Sequence, residues 1–178
     1  YMDHGGSQSP RDFKCQAQTT KGQKGTKFGL PNFDYIKKTS IKIFSVADGK
    51  VLRVRDGLED RRIKNDEMRE DVLGVECGNG LIIDHGAGWE TQYCHFKKGS
   101  IKLSPGTNVS RGDVIGAAGS SGNSSIPGLL FIVRLNGKVV DPYTGVNSNP
   151  NSCGEGADSL WVTPQKYRET EIISFGFS

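Results

Sequence analysis

The chain has 178 residues, 34% of them hydrophobic and 24% charged, which suits one domain with a real core and excludes intrinsic disorder. A net charge of +3 argues against a nucleic-acid binder, which would cluster Lys and Arg on one element. No apolar run approaches the ~18–20 residues of a membrane helix, and the 24 glycines, set among short apolar runs, predict a strand-rich fold with many tight turns.

Residues 1–26 are polar and read as an extended arm, with His4 expected in solvent. Tyr1-Met2-Asp3-His4 carries no signal-peptide pattern, so an export signal is expected to have been removed ahead of it. Residues 41–56 read as two strands joined by the turn Ala47-Asp48-Gly49-Lys50. Residues 57–74 are densely charged with both signs and predict a solvated loop with one helical turn. Leu81–Asp84 and Thr91–Phe96 flank the turn His85-Gly86-Ala87-Gly88, a hairpin in which His85 is expected to bond the turn. Pro105-Gly106 and Arg111-Gly112-Asp113 bracket a short strand. Leu129–Leu135 is a strong strand, Asn136-Gly137 the best hairpin signal, and Lys138–Val140 the returning strand, ended by Asp141-Pro142. Residues 146–159 read as loop. The expected organisation is an arm over 1–40, a β core over 41–143 and a tail over 144–178.

Four cysteines without CxxC spacing favour disulfides and an oxidising compartment over a zinc cluster; four buried thiols in a cytosolic protein are the alternative. Of three possible pairings, the hairpin favours Cys77–Cys94 across its strands. That leaves Cys15–Cys153 to tie arm to tail.

The run from Gly80 to His95 resembles the central hairpin of lysostaphin/LytM-type cell-wall zinc peptidases. So does the later series Gly106, Val109, Gly112 to Gly116, Gly119, Ser121-Gly122 and Phe131 to Pro142. The resemblance covers about residues 41–143, with Gln23 to Lys27 matching more weakly. It implies a mainly β fold of the duplicated-hybrid-motif type: a compact antiparallel sheet or sandwich with a groove, long loops and little helix.

In active members, HxxxD supplies two zinc ligands and the second His of HxH a third, while the first His of HxH and a His after Tyr-x assist catalysis. Three ligands leave one zinc position for an activated water. Here the HxxxD positions hold Gln23 and Lys27, and HxH reads Gly128-Leu129-Leu130; of the five, only His95 of Tyr93-Cys94-His95 remains. The resemblance therefore implies a ligand-less member, and the expectation is that zinc is lost and no cofactor is held. Strand alternation sets Gly128, Leu130, Ile132 and Arg134 on one face and Leu129, Phe131 and Val133 on the core side. Trp89, Tyr93, Ile132 and Arg134 are expected along the groove. Cys94 and His95 are adjacent on a strand and point apart, which speaks against a cysteine nucleophile.

The expected function is a catalytically inactive homologue that binds peptidoglycan or regulates a cell-wall hydrolase. Degenerate members of the family activate amidases, although this chain has neither coiled coil nor glycan-binding repeats. The alternatives are an active metalloendopeptidase with non-standard ligands and a secreted protein-binding module. The expected setting is a bacterial periplasm or the exterior, as a monomer, with no nucleic acid and no membrane span.

Overall fold

The computed structural model describes residues 1–6, 9–147, 153, 158–163 and 167. It is mostly antiparallel β with little helix, as expected. Nine strands are described: β1 (Thr26–Gly29), β2 (Lys42–Phe44), β3 (Gly49–Arg55), β4 (Asn79–Gly86), β5 (Trp89–Phe96), β6 (Asn108–Val109), β7 (Val114–Ala117), β8 (Gly128–Leu135) and β9 (Lys138–Val140). Two short helices are described, α1 (Phe33–Lys38) and α2 (Asp66–Glu70), capped by the Asn32 and Asn65 side chains, which accept from Tyr35 N and Met68 N. The main sheet runs β1-β8-β5-β4-β3-β6, with β9 on β8, and β2 pairs with β7 in a second, two-stranded sheet. The chain divides into two compact units, residues 28–131 and residues 1–27 with 132–178.

In the unit of residues 28–131, β4 and β5 form the expected hairpin. Ala87 (φ 50°) and Gly88 (φ 81°) turn it through two positive-φ residues, the conformation that matches strand twist. His85, expected to bond its own turn, instead reaches the turn between β2 and β3 and the partner strand: its ring nitrogens lie 2.7 Å from Asp48 O and 2.7 Å from Thr91 Oγ1. Val51, Leu81, Ile83, Tyr93 and Phe96 are each at most 2% exposed, and the Tyr93 and Phe131 rings meet at 5.2 Å. Such burial contributes roughly 1.5–3 kcal/mol per large side chain.

The strands expected over 41–56 exist, but β2 and β3 do not pair with each other. Asp48 of the turn accepts from Arg111 N, and Ser45 N donates to Asp113 O, so the turn directs β2 toward β7 instead. The charged segment 57–74 contains its one helical turn, yet it is tied down rather than simply solvated. Arg61 N and Ile63 N donate to Ser120 O and Ser124 O, Asn79 brackets Leu58, and Ile63 and Val72 are buried. Cys77 lies just before β4 and is joined to Cys94, with Cα atoms 4.8 Å apart.

In the other unit, Asn136 (φ 51°) and Gly137 (φ 77°) make the β8–β9 turn that pairs Leu135 with Lys138. His4 is not in solvent. It is 2% exposed, with Nε2 2.8 Å from Asp141 Oδ2. Asp12 is fully buried and accepts from Lys14 N, Gln16 N and, at 2.5 Å, the Tyr167 hydroxyl. The rings of Tyr1, Phe13, Tyr143 and Tyr167 stack and abut at 5.0–5.7 Å, and Cys15 is joined to Cys153. Most of the tail beyond residue 147 lies outside the described residues. No helix among the described residues is long and apolar enough to cross a membrane.

Candidate functional site

His95, Gly128, Leu130, Trp89 and Tyr93 belong to the unit of residues 28–131, whereas Gln23, Lys27, Ile132 and Arg134 belong to the other. His95 sits at a register shift in the β4–β5 pairing, where Asn79 faces Phe96 and Gly80 faces Cys94. Its φ of 68° is left-handed, a conformation an ordinary residue adopts only when its surroundings hold it there. They do so through three bonds: His95 N donates to Cys77 O, His95 O accepts from Gly119 N, and Nδ1 lies 2.8 Å from Ser121 O. Because Ser121 O can only accept, Nδ1 carries a proton. The side chain is 3% exposed.

Gly128 has φ 152°, and a Cβ built there would overlap the Phe28 carbonyl oxygen. The backbone has closed over this position, so a histidine there would require β1 or β8 to move. Leu130 is half-buried and carries no donor atom. Tyr93, expected along the groove, is a core residue. It is 1% exposed, its hydroxyl accepts from Val46 N, and burial pushes its pKa up. Trp89 is half-buried at the start of β5.

In the other unit, the Gln23 amide donates to Gly25 O and its carbonyl oxygen lies 3.5 Å from Thr20 Oγ1. Lys27 is half-buried, and desolvation pulls its ammonium pKa down. Ile132, also expected along the groove, is 7% exposed and therefore packed in; Arg134 is half-buried opposite Val139.

One feature of the 28–131 unit that the sequence reading missed is a cavity of about 290 Å³ over β3, β4 and β5, lined in part by Arg53, Arg55, Ile82, Gln92 and Cys77. Two arginines at i and i+2 in a strand were the available signal, but a bulge decides which face they take.

Residues 29–142 match the family model for peptidase family M23. The DD-carboxypeptidase/endopeptidase Mpg of Neisseria meningitidis is 42% identical over 97 residues, 54% of this chain and 21% of that protein. The peptidoglycan DD-endopeptidase ShyB of Vibrio cholerae is 30% identical over 108 residues, 61% of this chain and 21% of that protein. The match thus spans about a fifth of the length of these relatives. Among solved structures, the catalytic domain of lysostaphin from Staphylococcus simulans has a TM-score of 0.50 at 19% identity, covering 80% of this chain and 86% of that one. A zinc-containing peptidase from Vibrio cholerae has a TM-score of 0.46 at 28% identity, covering 66% and 28%.

These matches correct the expectation that no cofactor belongs to this chain: the family's relatives include a metalloprotease of Buchnera aphidicola, 26% identical over 134 residues, 75% of this chain and 29% of that protein, and zinc is the metal that the lysostaphin/LytM resemblance implies. The residues at the carried-over ligand positions do not fit that ion. Leu130 has no donor atom, Lys27 is a cation, Gln23 is a neutral amide, and Gly128 has no side chain and no room for one. No hydrolytic step through the metal is therefore derived from these residues. The match over residues 29–142, more than half of the chain, places the protein in peptidase family M23.

Proposed function

We propose that this domain recognises the peptide moiety of peptidoglycan without hydrolysing it, in the periplasm or outside the cell. The observation that carries this reading is Gly128, which stands where the family has a catalytic histidine and where the backbone leaves no space for a side chain. Leu130 and Lys27 support it, since Leu130 has no donor atom and Lys27 presents no carboxylate where the family has an acidic zinc ligand. The family's cell-wall peptidases supply the substrate class. The Cys15–Cys153 and Cys77–Cys94 bonds favour an oxidising compartment.

The test is co-sedimentation with purified sacculi in buffer supplied with zinc, followed by chromatography of the soluble fraction. The expected result is a pelleted protein and no newly released peptide fragment. Release of cleaved cross-links by the wild-type chain, beyond a control without protein, would overturn the reading in favour of an active endopeptidase. Loss of pelleting would remove peptidoglycan as the ligand.

A further inference from the structure

The face of β3, β4 and β5 turned away from the core carries side chains in ordered rows. Arg53 stands opposite Ile82, and Ile82 opposite Gln92; in the next row Arg55 faces Gly80, and Gly80 faces Cys94. The rows between them turn toward the core: Val51 with Ile83 and Thr91, all buried, and half-buried Val54 with buried Leu81 and Tyr93. This phase depends on one residue. Val51 pairs with Ile83 and Arg53 with Ile82, so Leu52 is extra, a β-bulge. With side chains alternating at period two, an unbulged strand would send Arg53 and Arg55 to the same side as buried Val51. Two unpaired guanidiniums in a core are prohibitively costly, so the bulge is what allows them on this strand.

The bulge delivers both arginines to the cavity of about 290 Å³, whose lining includes the Gln92 amide and no Asp or Glu. At Gly80 a Cβ would overlap the Tyr93 carbonyl oxygen, so no side chain rises from the floor beside Arg55. Cys77 of the Cys77–Cys94 disulfide belongs to the lining, and Gln92 Nε2 lies 3.3 and 3.4 Å from the two sulfurs, which holds that side chain in place. Among the described residues, neither arginine has a carboxylate within ion-pair distance.

We propose that this cavity is a carboxylate subsite, in which Arg53 and Arg55 hold a free carboxylate of a bound peptide beside Gln92. Guanidinium forks match carboxylate geometry with two parallel N–H···O bonds, and two forks on one strand face converge on one group or two neighbouring ones. The volume is at the lower end of small-ligand sites and suits a short peptide segment. The choice of a peptide carboxylate rests on the reading of the domain as a peptidoglycan-peptide binder.

The experiment follows the Arg Nε–H and Gln side-chain signals by nuclear magnetic resonance. The protein is titrated with glutarate, with inorganic phosphate, and with sodium chloride at matched ionic strength. A stem tetrapeptide is then titrated in its free-acid and fully amidated forms. The expected result is saturable shifts at Arg53, Arg55 and Gln92 with glutarate, and free-acid peptide binding roughly tenfold tighter than the amidated form, as charge-assisted bonds imply. The doubly substituted Arg53→Gln, Arg55→Gln protein should lose that preference, with unchanged circular dichroism, because both side chains are exposed. No saturable glutarate shift, or shifts with phosphate alone, overturns the subsite. Equal binding of both peptides, unaltered by the two substitutions, overturns it too while leaving the peptidoglycan reading intact. Glutarate binding with neither peptide bound does the reverse.

Discussion

The unit of residues 28–131 is held by repetition. Strands β3, β4, β5 and β8 turn apolar side chains to a common core, and Val51, Ile83, Tyr93, Phe96 and Phe131 share the burden among many small contacts. The unit of residues 1–27 and 132–178 is held by individual long-range bonds. His4 meets Asp141, Asp12 meets Tyr167, Cys15 meets Cys153, and a cluster of rings closes around Tyr1. A core built by repetition degrades gradually when one member is trimmed. A unit built on single pairs should fail when one of them is cut.

The largest effect should come from the Cys15→Ser, Cys153→Ser protein. The residues lie 138 apart, and a closed loop of that length is worth about 5 kcal/mol in the chain-entropy model. Hydrogen exchange should show protection lost over residues 1–27 while β4 and β5 stay protected. A uniform loss over both regions would break the distinction. Phe131→Ala should cost about 3–4 kcal/mol in urea denaturation, with the loss read at β4 and β5 amides. Gly128→Ala comes next at about 2–3 kcal/mol, because the new Cβ overlaps Phe28 O. A Gly128→Ala protein as stable as wild type would show that this position has room after all and would withdraw the main support for a non-hydrolysing site.

The smallest effect is on pH dependence. Burial, with the charges of Tyr1 and Asp141, pushes the Tyr143 pKa up to about 12, against ~10 in an unfolded chain. Its folded value is raised, so its contribution is complete below about pH 10 and is lost as pH climbs toward 12. Tyr143→Phe should flatten stability over that window relative to wild type. An unchanged slope would assign the alkaline loss to Tyr93, whose pKa is raised by the same cause.

Much of the fold was legible because its signals are local. Asn136-Gly137 and the Ala87-Gly88 turn fix positive φ at adjacent residues, and each gives a hairpin wherever the flanking strands lie. The helical turn at residues 66–70 followed for the same reason. Cysteines could be paired across 138 positions because they are few, but polar side chains and charged loops with distant partners could not. His4 looked like an arm residue because Asp141 is 137 positions distant, and segment 57–74 looked solvated because Ser120, Ser124 and Asn79 are not its neighbours in sequence. Tyr93 was set along a groove, but its hydroxyl satisfied itself on Val46 N, which let the ring enter the core.

The sequence by itself determined the strand-rich class, the hairpins, the resemblance on which family membership rests, and the chemical character of Gln23, Lys27, His95, Gly128 and Leu130. Those follow from side-chain chemistry and short-range backbone preference. Tertiary structure decided the rest: which strands pair, that Gly128 is closed by Phe28, and that one extra residue at Leu52 turns Arg53 and Arg55 away from the core. Alternation predicts faces only while the register is unbroken, and a bulge is set by packing between strands that the linear chain does not display.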